Sequence, residues 1–143
     1  MLFETRRQAR DALTRIWRWP HFSVQELGCR CGGRFCGGAY WHDEAFLDAL
    51  EIMRTDVGAP LVITSGHRCP QWNAAVGGAP RSRHKTIAVD IRLAGHNRHE
   101  LKAAAEHAAF SGFGLARTFL HLDRRALPAI WFYKGSEALW KTS

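Results

Sequence analysis

Residues 43 to 57 place Phe46, Leu47, Leu50, Met53 and Val57 on one stripe of an α-helix. Asp43 and Glu44 stand at the end where the helix dipole favours acids, and Gly58 follows the last turn. "IAVDIRL" (87–93) alternates instead, with Ile87, Val89, Ile91 and Leu93 on one face and Ala88, Asp90 and Arg92 on the other. "TFLHLD" (118–123) does the same, separating Thr118, Leu120 and Leu122 from Phe119, His121 and Asp123. "PLVITS" (60–65) and "AIWFY" (129–133) read as further short strands, and the Ala-rich run 98–109 as a helix.

Phe3, Ala9, Leu13 and Ile16 follow helical spacing, which predicts an N-terminal basic helix over residues 1–20. Residues 19–41, rich in Gly and Cys, read as loop or short irregular structure. "PQWNAAVGGAPRS" (70–82) reads as a Pro-started helical turn and then a long Gly/Pro loop. These elements predict an α+β fold, a small antiparallel sheet with helices packed on one face.

A chain of 143 residues with 46% hydrophobic content suits one domain, 1–143, with a single core. The formal net charge of +7 points to an anionic partner such as nucleic acid, an acidic membrane or a cell-envelope polymer. Nucleic-acid binding rests on that charge alone, and no specific nucleic acid is expected. The absence of a long apolar run argues against membrane insertion. The N-terminus lacks the zones of a signal peptide, so synthesis in the cytoplasm is the expectation.

An imidazole and a carboxylate share one face of "TFLHLD", and Asp90 occupies the polar face of "IAVDIRL". If these strands are neighbours, His84, Asp90 and His121 converge. Two histidines and one carboxylate that leave a position open form a catalytic zinc donor set, although no compact H-E-x-x-H motif is present. The competing reading is chance proximity of acids to some of the eight histidines.

"ITSGHRCPQWNAAVGGAPRSRH", "AVDI" and "FLHLD", in that order, resemble the M15 family of zinc peptidases, the D-Ala-D-Ala carboxypeptidase and phage endolysin group. The likeness is nearest to the small phage and prophage branch and spans residues 22–133. The resemblance implies a hedgehog/D-Ala-D-Ala-peptidase-like fold and Zn2+ held by His84, Asp90 and His121. It also implies hydrolysis of stem or cross-link peptides of bacterial peptidoglycan, after lysis or as a virion or gene-transfer-particle component.

The resemblance also places Arg68, Asn73 and Ser82 at matching positions near the site as candidate substrate-binding residues, with Arg68 a catalytic candidate as well. Arg68 either grips a peptide carboxylate or ties its loop by hydrogen bonds. Ser82 is expected to brace the loop, since no base pairs with it. Asp123 is the candidate general base or, by preference, the carboxylate that orients a ligand imidazole.

Two departures stand out. "HKTIAVD" is one residue shorter between His and Asp than the family pattern and lacks its Gly, which predicts a tighter loop and a weakened or lost metal site. Thr118 stands where larger relatives carry an acid. Both departures favour an alternative, a catalytically inactive module of the same fold bound to phage-like tail or baseplate proteins.

Cys29, Cys31 and Cys36 crowd one Gly-rich loop and Cys69 follows Arg68. A second, structural Zn2+, disulfides formed after release to an oxidising space, and free thiols all remain open, none of them catalytic. His42, His67, His96, His99 and His107 read as solvated or structural, with His67 a possible wall of the cleft. Trp41, Trp72 and Trp131 read as core or rim packing.

Overall fold

Asp43 accepts the Phe46 amide at 3.0 Å and Gly58 ends the helix in the left-handed region at φ 69°, so α3 runs Glu44–Val57 between a side-chain cap and a glycine stop. The computed structural model describes residues 1–141. Ahead of α3 come β1 (Leu2–Phe3), α1 (Arg6–Leu13), α2 (Val24–Leu27) and β2 (Tyr40–Trp41), with β1 and β2 paired antiparallel. After it come β3 (Ile63–Ser65), α4 (Pro70–Ala75), a 3-10 turn at Arg83–Lys85, β4 (Val89–Arg92), α5 (Arg98–His107), β5 (Gly112–Leu115), β6 (Phe119–Asp123), β7 (Ala129–Phe132) and α6 (Glu137–Lys141).

The N-terminal expectation needs correction. Phe3 is buried as a strand residue, Thr5 caps α1 by accepting the Gln8 amide, and the helix ends at Leu13, leaving Ile16 exposed. The predicted stripe thus joins residues of three different local structures. The stretch read as irregular contains α2, whose start is a reciprocal capping box between Ser23 and Glu26.

The five-stranded sheet has the order β3-β4-β6-β5-β7. It is mixed, not purely antiparallel: β7 runs parallel to β5. The cause is the short connection 124–128, which passes the start of β5 and begins β7 on its far side. Ala129 N donates to Ser111 O and Ser111 Oγ to Arg125 O, pinning that passage.

Val89 and Ile91 of β4 lie opposite Leu122 and Leu120 of β6, and all four have 0% exposure. With Phe113 and Leu115 they join the buried residues of α3 and α5 in one core that reaches from Phe3 to Trp140. Alternation therefore sends Asp90, His121 and Asp123 to the opposite face. There Asp90 pairs with His121, His121 with Gly114, and Gly114 with Trp131, in one row across four strands.

Gly66 lies where the end of α2 meets the chain beyond β3. A Cβ there would sit 2.3 Å from the Leu27 carbonyl oxygen, a backbone atom that cannot swing aside. Gly66→Ala should cost about 1–3 kcal/mol by overpacking, read as a lower thermal midpoint. An unchanged midpoint would show that the two segments separate easily.

Candidate metal centre and cleft

His84 sits in the 3-10 turn that Ser82 caps by accepting the His84 amide at 3.2 Å. This turn is how the shortened His-to-Asp segment closes. No residue between 84 and 90 lies in the left-handed region, and His84 Nε2 still reaches 3.1 Å from Asp90 Oδ1. His121 Nδ1 completes a triangle, 3.1 Å from His84 Nε2 and 3.2 Å from Asp90 Oδ1.

The outer nitrogens decide what faces inward. His84 Nδ1 lies 2.7 Å from Gly66 O, and a carbonyl only accepts, so Nδ1 carries the proton and Nε2 a lone pair. His121 Nε2 lies 2.7 Å from Asp123 Oδ2, which likewise leaves the lone pair on Nδ1. Three acceptors thus converge, on residues no more than 6% exposed. Such a triangle is repulsive unless a cation or proton fills it. Zinc with nitrogen and oxygen ligands at about 2.0–2.1 Å needs ligand atoms about 3.3 Å apart, so the donor set fits.

Asp123 is 1% exposed and fully engaged. Besides His121 it accepts the Arg125 amide at 3.1 Å, Arg125 Nε at 2.8 Å and an Arg125 terminal nitrogen at 2.6 Å. It does not line the cleft, so the geometry makes it an orienting carboxylate and leaves no oxygen free to act as a base. Burial alone would raise its pKa, but Arg125 and His121 hold it well below the usual carboxylate range.

Gly112 faces Asp123 across the strand pair, where a Cβ would lie 2.0 Å from Asp123 Oδ1. Gly114 leaves equivalent room beside His121, Trp131 and Tyr133.

The cleft over the triangle has a volume of about 480 Å³. Arg68, Arg81, Arg83 and Arg125 line it together with Phe119, Trp131 and Tyr133, and Asp90 is its one acid among the described residues. A larger depression, about 600 Å³, lies beside α1 but contains no His, Cys, Asp or Glu.

Arg68 makes the loop-tying hydrogen bonds expected of it and stands at the cleft wall. Its Nε donates to Ser65 Oγ and one terminal nitrogen to Asn73 Oδ1, while the other lies 3.6 Å from Asp90 Oδ2 at the cleft wall. Asn73 is buried below the cleft, its Nδ2 donating to Ala79 O at 2.9 Å, so it shapes the 76–82 loop. Thr118 is exposed and outside the cleft.

His67 is buried, its Nδ1 2.6 Å from Thr86 O, and forms no part of the cleft wall. His42 meets the Tyr40 hydroxyl at 3.0 Å and His96 meets Pro60 O at 3.0 Å, both remote from the triangle. Sequence reasoning missed Arg125, Tyr133, Arg81 and Arg83. Arg125, two residues past the Asp of "HLD", was the one with a readable signal, since a buried acid needs a cation.

Without a bound ion, burial disfavours charge on His121, but its hydrogen bonds to the carboxylates of Asp123 and Asp90 outweigh that and raise its pKa. A raised folded-state pKa stabilises fully below the unfolded value of about 6.5 and ceases to do so as pH rises through the folded value. A bound ion competes with that proton and gains as pH rises. The thermal midpoints with and without chelator should therefore diverge as pH rises from the unfolded value of about 6.5 toward the raised folded-state value. A gap that does not widen would mean that no ion displaces this proton.

Among the described residues no helix is long and apolar enough to cross a membrane. A search of curated proteins finds no match to the chain. The family model for Peptidase M15 matches residues 20–123, from ahead of α2 to the end of β6, and so encloses the whole triangle. With the match covering most of the sequence, the chain belongs to the M15 peptidases, a family of metallopeptidases.

Proposed function

We propose that the protein is a zinc-dependent peptidase acting on peptidoglycan, cutting a bond in the stem or cross-link peptides. The observation that carries this reading is the triangle of His84 Nε2, His121 Nδ1 and Asp90 Oδ1, with both imidazole tautomers set from outside. Zinc there would supply Lewis-acid chemistry, activating water near neutral pH and polarising the scissile carbonyl.

The chain's own residues do the rest. Gly66 and Asp123 keep the imidazoles aimed, and Arg68 holds the second oxygen of Asp90. The arginines of the cleft bind a peptide carboxylate, for which guanidinium geometry is suited. The aromatic wall of Phe119, Trp131 and Tyr133 packs against the substrate. The net charge of +7 suits an anionic wall. A phage, prophage or gene-transfer-particle setting is part of the same proposal and rests on the likeness of motifs.

A second reading is an inactive module of a tail or baseplate. The observation favouring it is that the cleft offers no acid besides Asp90 among the described residues. Digestion of purified peptidoglycan, with mass spectrometry of released fragments, separates the two. Zinc-dependent release of peptide fragments is expected. A protein that binds the wall without changing its fragments at any zinc concentration is the module.

A further inference from the structure

Away from the cleft, Cys29, Cys31, Cys36 and Cys69 bring their four sulfurs within 4.8 Å of one another. Three of these residues are buried and none forms a disulfide. The nearest pair, Cys31 and Cys36, has its sulfurs 3.5 Å apart. A disulfide needs about 2.05 Å, whereas four thiolates at about 2.3 Å from one zinc ion stand about 3.8 Å from each other. The observed separations bracket the second value.

The backbone around the cluster also points at the sulfurs. The Cys69 amide donates to Cys29 Sγ and the Ala39 amide to Cys36 Sγ, each at 3.4 Å. Two of the four sulfurs thus receive a backbone N–H. Neutral thiols are weak acceptors, while metal-bound thiolates are strong ones and gain from such donors. The turn before the Ala39 amide uses Gly38 at positive φ.

Four thiolates crowded this closely repel one another, and a divalent cation removes the conflict, since each thiol that binds it gives its proton to the solvent.

We propose that Cys29, Cys31, Cys36 and Cys69 form a second metal centre, a tetrathiolate site for one zinc-class divalent ion that locks the 28–39 loop to the start of α4. Cys69 lies three residues beyond Gly66 and next to Arg68, so the centre secures the segment that aims His84 and reaches Asp90. Its ligands are independent of the triangle in the cleft.

The test uses the full chain carrying His84→Ala and His121→Ala, which removes the other donor set. Elemental analysis after dialysis should find one zinc per chain. Titration with an organomercurial should release that zinc to a chromogenic chelator in step with thiol modification. Cobalt(II) exchange should produce a thiolate-to-cobalt charge-transfer band, and Cys36→Ser, at the half-exposed position, should weaken it. If Cys36→Ser does not fold, the mercurial titration decides alone. A metal-free chain with four thiols that react at once overturns the proposal. So does an intact mass short of hydrogens through disulfide formation, and so does zinc whose release is indifferent to thiol modification. Iron in place of zinc would keep the site and change only the ion.

Discussion

His121→Ala should abolish the proposed turnover of peptidoglycan while leaving a folded protein. The imidazole supplies one corner of the triangle, and its loss leaves His84 Nε2 and Asp90 Oδ1 as the inward metal donors among the described residues. Removing one electrostatic element of a catalytic site costs about 10²–10³-fold in rate, and here the ion is lost with it, so activity should fall by at least that much. The fold survives because Asp123 keeps its bonds to Arg125 and the core face of β6 is untouched. Fragment release, zinc content and circular dichroism together check this. Retained activity in a folded His121→Ala chain would remove the triangle from the reaction.

Asp123→Asn should lower zinc affinity by about 10–100-fold, the range for removing a carboxylate that orients a ligand imidazole. It also strips the half-buried Arg125 of its ion-pair partner, which should lower the thermal midpoint. Asp123 has a depressed pKa, so its contribution is present above the unfolded value of about 3.9 and is lost as pH falls. The variant's loss in thermal midpoint should accordingly shrink in acid. Gly112→Ala should reproduce the affinity defect without replacing any titratable residue, because its methyl would displace the same carboxylate. Competition titration with a zinc chelator reads both variants. Unchanged affinity in both would mean that His121 is aimed by something other than Asp123.

The strands that carry the triangle were legible because their alternation is clean. Val89 and Ile91, like Leu120 and Leu122, could only face a core, and that placed Asp90 and His121 together once β4 and β6 paired. β5 was invisible for the opposite reason. Its site face is Gly112 and Gly114, which weaken strand propensity where the fold needs vacant space. The parallel edge formed by β7 depends on a five-residue passage across another strand, which no periodicity records. At the N-terminus the helical spacing misled, since burial of Phe3 comes from its pairing with β2.

The tolerance of the His-to-Asp segment for its missing residue was also unreadable. It depends on a 3-10 turn capped by Ser82 and on Arg68 N donating to His84 O at 2.6 Å. The second is a contact between segments separate in the sequence, and together with the cap it holds His84 at the triangle.

The bare backbone at position 112 ties its history to that of position 123. A side chain acquired at 112 pushes aside the acid opposite it, and loss of the acid frees the gap to be filled. Substitutions at these two positions should therefore travel together among descendants, with glycine and aspartate inherited as a pair or abandoned as one.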